Sequence, residues 1–332
     1  MRAAPWLKSP DTMAWVLWIA AALLWHAAPV QAQGAYPVRP VRLIVANSPG
    51  SSVDTVGRVL AQHLSNTLGQ SVFVENRAGA AGLLGTEVGR LAPADGYTFI
   101  VASTSSLSAA PLMKKAVPFD VLKDFDFVAQ VAVLPNVLAV SAGSSLNSVR
   151  ALAAYARANP GRVNMASGGV GSISHLAGVA LSTAAGFESL HVPYSGGGPS
   201  VASVAAGQTH WTIAPSPNII PQVKAGRLKA LGHSMARGVQ VLDGVPSLAD
   251  EVPGFEFNAW IGIIGPRGLP PPVLEKFRTA LEAALRVPAL ETAFAGNGAL
   301  SRLTTPAEFR TMLTADIELN RRAMRAAGIE PE

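Results

Sequence analysis

The chain has 332 residues, 26 lysines and arginines against 21 aspartates and glutamates, a net charge of +5 and no cysteine. The missing thiols exclude disulfide staples, thiolate metal sites and a lipid-bearing cysteine anchor. Adjacent basic pairs occur at Lys114-Lys115, which reads as a solvated surface pair, and at Arg321-Arg322, too sparse and too free of interleaved aromatics for a nucleic-acid footprint.

The first 32 residues read as a secretory signal peptide. Arg2 and Lys8 make a weakly basic start, residues 14–25 form an uncharged apolar run, and Val30-Gln31-Ala32 places small residues for cleavage before Gln33. The apolar run is shorter than the roughly 20 residues a spanning helix needs. Export predicts a periplasmic location and leaves about 300 residues, enough for two ordinary domains.

Beyond that point short β-branched runs alternate with helical periodicity. A buried strand is predicted at 41–46. Val53, Val56, Leu60, Leu64 and Leu68 then mark one helix face, capped by Ser51 or Ser52 and stopped by Gly69. Strands follow at 72–75, 97–102, 128–133 and 137–140, and helices at 82–91 and 148–158. Next come strand 163–166, helix 174–185, strand 190–192, helix 200–205, and strands 211–213 and 228–232. From Pro270 the pattern is helical, at 273–285, 289–295 and 306–326. This rhythm predicts an α/β fold with mostly parallel sheets.

Small and hydroxyl-bearing residues concentrate where strands give way to helices. The first junction is Asn47-Ser48-Pro49-Gly50-Ser51-Ser52-Val53-Asp54. Others hold Ser103 with Thr104, Ser105 and Ser106; Ser167, Gly168, Gly169, Gly171, Ser172, Ser174 and His175; and Tyr194 to Gly198. Free backbone N–H groups and the helix dipole at such places favour an anion, glycine lets the backbone come close, and open α/β sheets bind ligands beyond their carboxyl strand ends. Catalytic patterns are weaker. Residues 79–85 space their glycines as GxxGxxG, unlike a dinucleotide fingerprint; no nucleophile elbow or P-loop lysine occurs; and the histidines at 63, 175, 191, 210 and 233 lack metal spacing. His175 is the one histidine placed near a cleft, in a capping or packing role. Asp54, in a first helical turn, reads as a dipole partner. No catalytic residue, cofactor or metal is predicted. A solute receptor, a ligand-presenting sensor for a membrane signalling partner and an exported enzyme on the same fold remain open.

These loops carry a family pattern. Tyr36-Pro37-Val38-Arg39-Pro40 with Pro49-Gly50 and Asp54, then Leu68-Gly69-Gln70, Glu75-Asn76-Arg77-Ala78-Gly79-Ala80 and Asp95-Gly96-Tyr97-Thr98, resemble the Bug-type receptors. These are the extracytoplasmic solute-binding subunits of tripartite tricarboxylate transporters. Ser174-His175-Leu176-Ala177-Gly178, His191-Val192-Pro193-Tyr194, Lys224-Ala225-Gly226-Arg227-Leu228, Gly244-Val245-Pro246-Ser247 and Pro253-Gly254-Phe255 with Trp260 continue the match to about Gly328. The resemblance implies a two-domain periplasmic binding protein of type II, a Venus flytrap with its ligand cleft between domains. Residues 33–134 plus 256–332 would form one domain and 135–255 the other. It also implies a small organic carboxylate as ligand, delivery to membrane permease subunits, and a monomer. Carried over, the site comprises the first junction, the glycine-serine loop before His175, and Tyr194, with Ala214 and Pro215 in a fifth segment, 214–218. The five segments contain no lysine or arginine. Departures are Asn47-Ser48-Pro49-Gly50-Ser51 where the family usually reads Phe-Pro-Pro-Gly-Gly, Ala109 for a frequent asparagine, Ala214 for an aspartate and Ser195 for a lysine.

Overall fold

The computed structural model describes residues 36–326 and 328–331, so the predicted signal peptide and its cleavage site lie outside the described residues. The chain divides into two compact units, Met1–Val38 and Arg39–Glu332, and the second carries all the elements that follow.

The second unit opens with β1 (Val41–Val45), apolar at four of its five positions and inserted between two parallel neighbours. A strand covered on both faces needs such a run. Helix α1 (Ser52–Leu68) follows. Ser51 Oγ accepts the Asp54 N–H at 3.2 Å, Val53, Val56, Leu60, Leu64 and Leu68 are buried, and Gly69 ends the helix at φ 69°. After β2 (Val72–Asn76) comes α2 (Leu83–Arg90), then β3 (Thr98–Ser103). Gly85 of the GxxGxxG segment and Gly89 beyond it serve packing: a Cβ on Gly85 would stand 2.5 Å from the Arg77 carbonyl oxygen, and one on Gly89 2.2 Å from Ile100. A π-helical turn (Ser105–Ala109) runs into a helical turn at Ala110–Leu112, and β4 (Phe125–Leu134) ends one residue before β5 (Asn136–Ser141). The two strands belong to different sheets.

The second sheet is completed by α3 (Val149–Ala158), β6 (Asn164–Ser167), α4 (Ile173–Ala185), β7 (Leu190–Pro193), α5 (Gly197–Ala205), β8 (Trp211–Pro215), α6 (Ser216–Lys224) and β9 (Leu228–His233). The chain then returns to the first sheet as β10 (Ala259–Pro266), followed by α7 (Pro271–Leu285), α8 (Pro288–Gly296), β11 (Leu300–Ser301) and α9 (Pro306–Ala326). Strand order is β11-β4-β10-β3-β1-β2 in one sheet and β7-β6-β8-β5-β9 in the other. Helix α7 packs on α1, and its Phe277 stacks on Phe99 of β3 with centroids 3.7 Å apart. Among the described residues no helix is long and apolar enough to cross a membrane.

Two features differ from the sequence reading. The sheets are mixed: β1, β2 and β3 pair in parallel, as do β6, β7 and β8, whereas β10 runs antiparallel to β3 and β4, and β5 antiparallel to β8 and β9. Strands β5 and β10, each the first after a passage between sheets, are antiparallel to both neighbours, and the short β11 also runs antiparallel to β4. Strand β10 and helix α6 were also missing from the predicted elements. Gly262 and Gly265 dilute the strand signal of β10, yet a Cβ at Gly262 would meet the Phe309 ring at 2.2 Å, so a close neighbour dictates the glycine. Pro217 and Pro221 hide α6; the first occupies an early helical position that tolerates proline, and the second interrupts the helical pattern.

Candidate functional site

The carboxyl ends of β1 and β3 in one sheet, and of β6, β7 and β8 in the other, face a common cleft. It holds a cavity of about 510 Å³, mouth included. Asn47, Ser51, Ser52, Val53, Ser103, Thr104, Ser105 and Trp260 line one side, and Gly168, Ser172, Ile173, Ser174, Gly197, Pro215 and Asn218 the other. A second cavity of about 910 Å³ shares Asn47, Ala81 and Gly168 with it and continues past Ser48, Met113, Lys114, Val170, Tyr194 and Gly196. The walls are joined where the Ile173 N–H donates to Ser105 Oγ at 2.9 Å.

The hydroxyls fall into two groups. Ser51 Oγ accepts from Asp54 N, Thr104 Oγ1 from Trp260 N, and Ser105 Oγ from Ile173 N. A hydroxyl used as an acceptor still has its proton to give, and these three line the cavity. Ser106 instead bonds to both backbone groups of Ser103, and Ser172 Oγ donates to the Gly169 carbonyl at 2.7 Å while capping α4 through His175 N. The first N–H groups of α1 and α4 have no partner within their helices, and both helix starts lie on the cavity wall. Asn47 Oδ1, Ser48 Oγ, Ser103 Oγ and Asn218 Oδ1 are buried atoms without a hydrogen-bond partner, and all four residues line these cavities. Ala80 and Ala81, in the second cavity's wall, adopt positive φ angles of 47° and 53°, a conformation costly without glycine.

Of the sequence-predicted residues, Asn47, Ser48, Ser51, Ser52, Thr104, Ser105, Gly168, Gly169, Ser172, Ser174, Tyr194 and Pro215 line one cavity or the other. Pro49, Gly50, Asp54, Ser106, Ser167, Gly171, His175 and Ala214 are not among the lining residues. Several of these build the loops from behind. Burial alone would raise the Asp54 pKa. Hydrogen bonds from Arg58, the Gly50 N–H and Asn76 outweigh that and hold the carboxyl below its usual range, so Asp54 clamps the first junction. His175 is buried and stacks on His191 with ring centroids 3.9 Å apart. Its Nδ1 accepts the Gly171 N–H at 3.4 Å, while His191 Nε2 lies 2.6 Å from Ser167 Oγ. Burial, then the neighbouring imidazole, pushes His175 down to about 4. The stacked pair thus sits under the glycine-serine loop as neutral rings.

The segments named from sequence contain no cation, but a cation reaches the site from outside them. Lys114, expected at the surface with Lys115, is half-buried and lines the second cavity, whereas Lys115 is exposed. Among the described lining residues it is the one charged side chain. Sequence reasoning also missed Ser103, Asn218 and Trp260 as lining residues. The first two lay inside flagged segments. Trp260 is held by its Nε1–H donating to Asp316 Oδ2 at 3.0 Å, a partner 56 positions away that no local pattern reveals.

Residues 56–321 match the family described as tripartite tricarboxylate transporter family receptor (TctC). The chain belongs to that family. It is 34% identical to the protein BugT of Bordetella pertussis over 294 residues, covering 88% of this chain and 90% of the relative. The solved structure of R. palustris Rpa4515 with adipate superposes with a TM-score of 0.87 at 30% identity, over 90% of this chain and 100% of that one. MatC from Rhodopseudomonas palustris with bound malate superposes at 0.81 with 28% identity, over 87% and 99%. The receptor therefore has the α/β, two-sheet periplasmic binding protein fold and a solute-binding function.

Proposed function

We propose that the receptor captures a small organic carboxylate in the cleft, outside the cytoplasm, and presents it to membrane permease subunits. The observation that carries this reading is the convergence of the α1 and α4 N-termini and the donor hydroxyls of Ser51, Thr104 and Ser105 on a cavity with no acidic side chain in its lining. Such a wall favours an anion without an ion pair. A hydrogen bond to a charged group contributes about 1.5–3 kcal/mol, so several together reach the roughly 8 kcal/mol of micromolar binding. The adipate and malate in the two Rhodopseudomonas structures set the ligand size we favour. Export with cleavage after Ala32, a monomeric state, and a clamshell of residues 33–134 plus 256–332 closing on 135–255 belong to the same reading. The two sheets and the single residue between β4 and β5 support the clamshell.

Titration calorimetry with a panel of four- to six-carbon mono- and dicarboxylates tests the ligand class. At least one should bind at micromolar affinity to the wild type, and binding should vanish in Gly171→Val. Gly171 holds φ 76°, and a Cβ there would press on Met113 at 3.1 Å, displacing the loop before α4. Full binding by Gly171→Val, with loss in Lys114→Ala, would replace the backbone cradle with a cationic site.

A further inference from the structure

Among the described residues, the buried polar side-chain atoms left without a partner concentrate at the cleft: Asn47 Oδ1, Ser48 Oγ, Ser103 Oγ and Asn218 Oδ1. Asn218 is 8% exposed and Ser103 6%, so water outside the cleft does not serve them. Buried polar groups in folded proteins are almost always paired, and leaving one unpaired is costly.

Asn47 follows β1 of one sheet, Asn218 stands in the first turn of α6 beyond β8 of the other, and both line the smaller cavity. Each carboxamide offers an acceptor oxygen and an NH₂ donor on one planar head. A carboxylate accepts only, so it can satisfy the hydroxyls and helix N–H groups but not a buried carboxamide oxygen. A ligand group that reaches either carboxamide meets an oxygen that needs a donor beside an NH₂ that needs an acceptor. An ammonium donates, but no aspartate or glutamate is among the residues lining either cavity, and a desolvated cation without a counter-charge is disfavoured. A hydroxyl does both and carries no charge.

We propose that Asn47 and Asn218 are specificity-determining residues that clasp a hydroxyl group of the ligand, so that the receptor selects a hydroxy-carboxylate over the unsubstituted acid and over the amino acid of the same length. This inference rests on the carboxylate reading above and adds the substituent. The hydroxyl accepts from one carboxamide N–H and donates to the other oxygen. Ser48 Oγ, against which a Cβ at Gly196 would clash at 2.2 Å, borders the same region from the second cavity. Sites built to hydrogen-bond a hydroxyl discriminate strongly against analogues that lack it, because the protein groups are then stranded.

The test is calorimetry on the full mature chain with matched probes: succinate, malate and aspartate; glutarate, 2-hydroxyglutarate and glutamate; adipate and 2-hydroxyadipate. In at least one set the hydroxy acid should bind at least tenfold more tightly than its unsubstituted and amino counterparts. Asn47→Ala and Asn218→Ala should each narrow that gap to less than threefold. Asn47 is half-buried in a loop, so its variant keeps the test available should Asn218→Ala fail to fold. Equal affinity within every set would overturn the hydroxyl clasp and leave the carboxylate reading standing. So would a gap that survives both substitutions. Failure of every acid to bind the wild type would overturn both.

Discussion

The His175–His191 stack predicts a specific acid sensitivity. His175 is buried at 8% exposure, with a second imidazole 3.9 Å from its ring and a backbone N–H pointing at Nδ1. Burial, and behind it the charge that His191 could carry, lowers it from 6.5 to about 4. In the unfolded chain the ring takes up its proton near pH 6.5, so between the two values the unfolded state binds more protons. The stability contributed by the neutral ring is therefore complete above about pH 6.5 and is lost as the pH falls towards 4. Over the whole interval this is on the order of 3 kcal/mol, and about 2 kcal/mol between pH 7.5 and 5.0. At about 2 °C per kcal/mol for a chain of this size, His175 accounts for about 4 °C of acid-induced loss in melting temperature. His175→Phe keeps an aromatic ring over His191 but cannot titrate. Melting curves at both pH values should show the variant losing about 4 °C less than the wild type. A wild type and variant with equal pH slopes, or an NMR titration placing His175 at 6.5 or above, would refute the reasoning.

Other expectations follow from the same geometry. Ser172→Ala removes the cap of α4 and the bond to the Gly169 carbonyl, so chemical denaturation should show a loss of about 1 kcal/mol and calorimetry a weaker ligand; unchanged values in both would contradict the role given to that hydroxyl. Lys115→Ala should leave binding unaltered, whereas Lys114→Ala should weaken a dicarboxylate more than a monocarboxylate, since Lys114 alone of the pair lines the second cavity; equal effects of the two substitutions would sink this. N-terminal sequencing of the exported protein should begin at Gln33, and a chain still starting at Met1 in the membrane fraction would count against cleavage.

The legible parts of the fold were those fixed by local physics. Strand β1, the Ser51 cap, the apolar stripe of α1 and the left-handed Gly69 each arise within a few residues, and periodicity with cap chemistry locates them. The junction segments were legible too, because helix starts and small residues announce themselves locally. What escaped depends on partners far along the chain. Gly262 of β10 is set by Phe309 and Gly265 by Leu269 and Phe99, which made that strand look broken in the sequence. The antiparallel setting of β5 and β10 follows from where the chain crosses between sheets, which no short window contains. His175 was placed near the cleft from its neighbours in sequence. Its place under the loop is set by the ring of His191, 16 residues later in the chain. Lys114 was assigned to the surface for its charge, although the cavity wall reaches it through Ala110 and Met113.

Native mass spectrometry of freshly isolated, exported protein tests the central claim most directly, because it reads the occupant of the cleft without choosing a probe. The account predicts a one-to-one complex whose released ligand is a small organic carboxylate, and the same preparation of Gly171→Val without it. A ligand lacking a carboxyl group, or an adduct retained undiminished by Gly171→Val, would contradict the account.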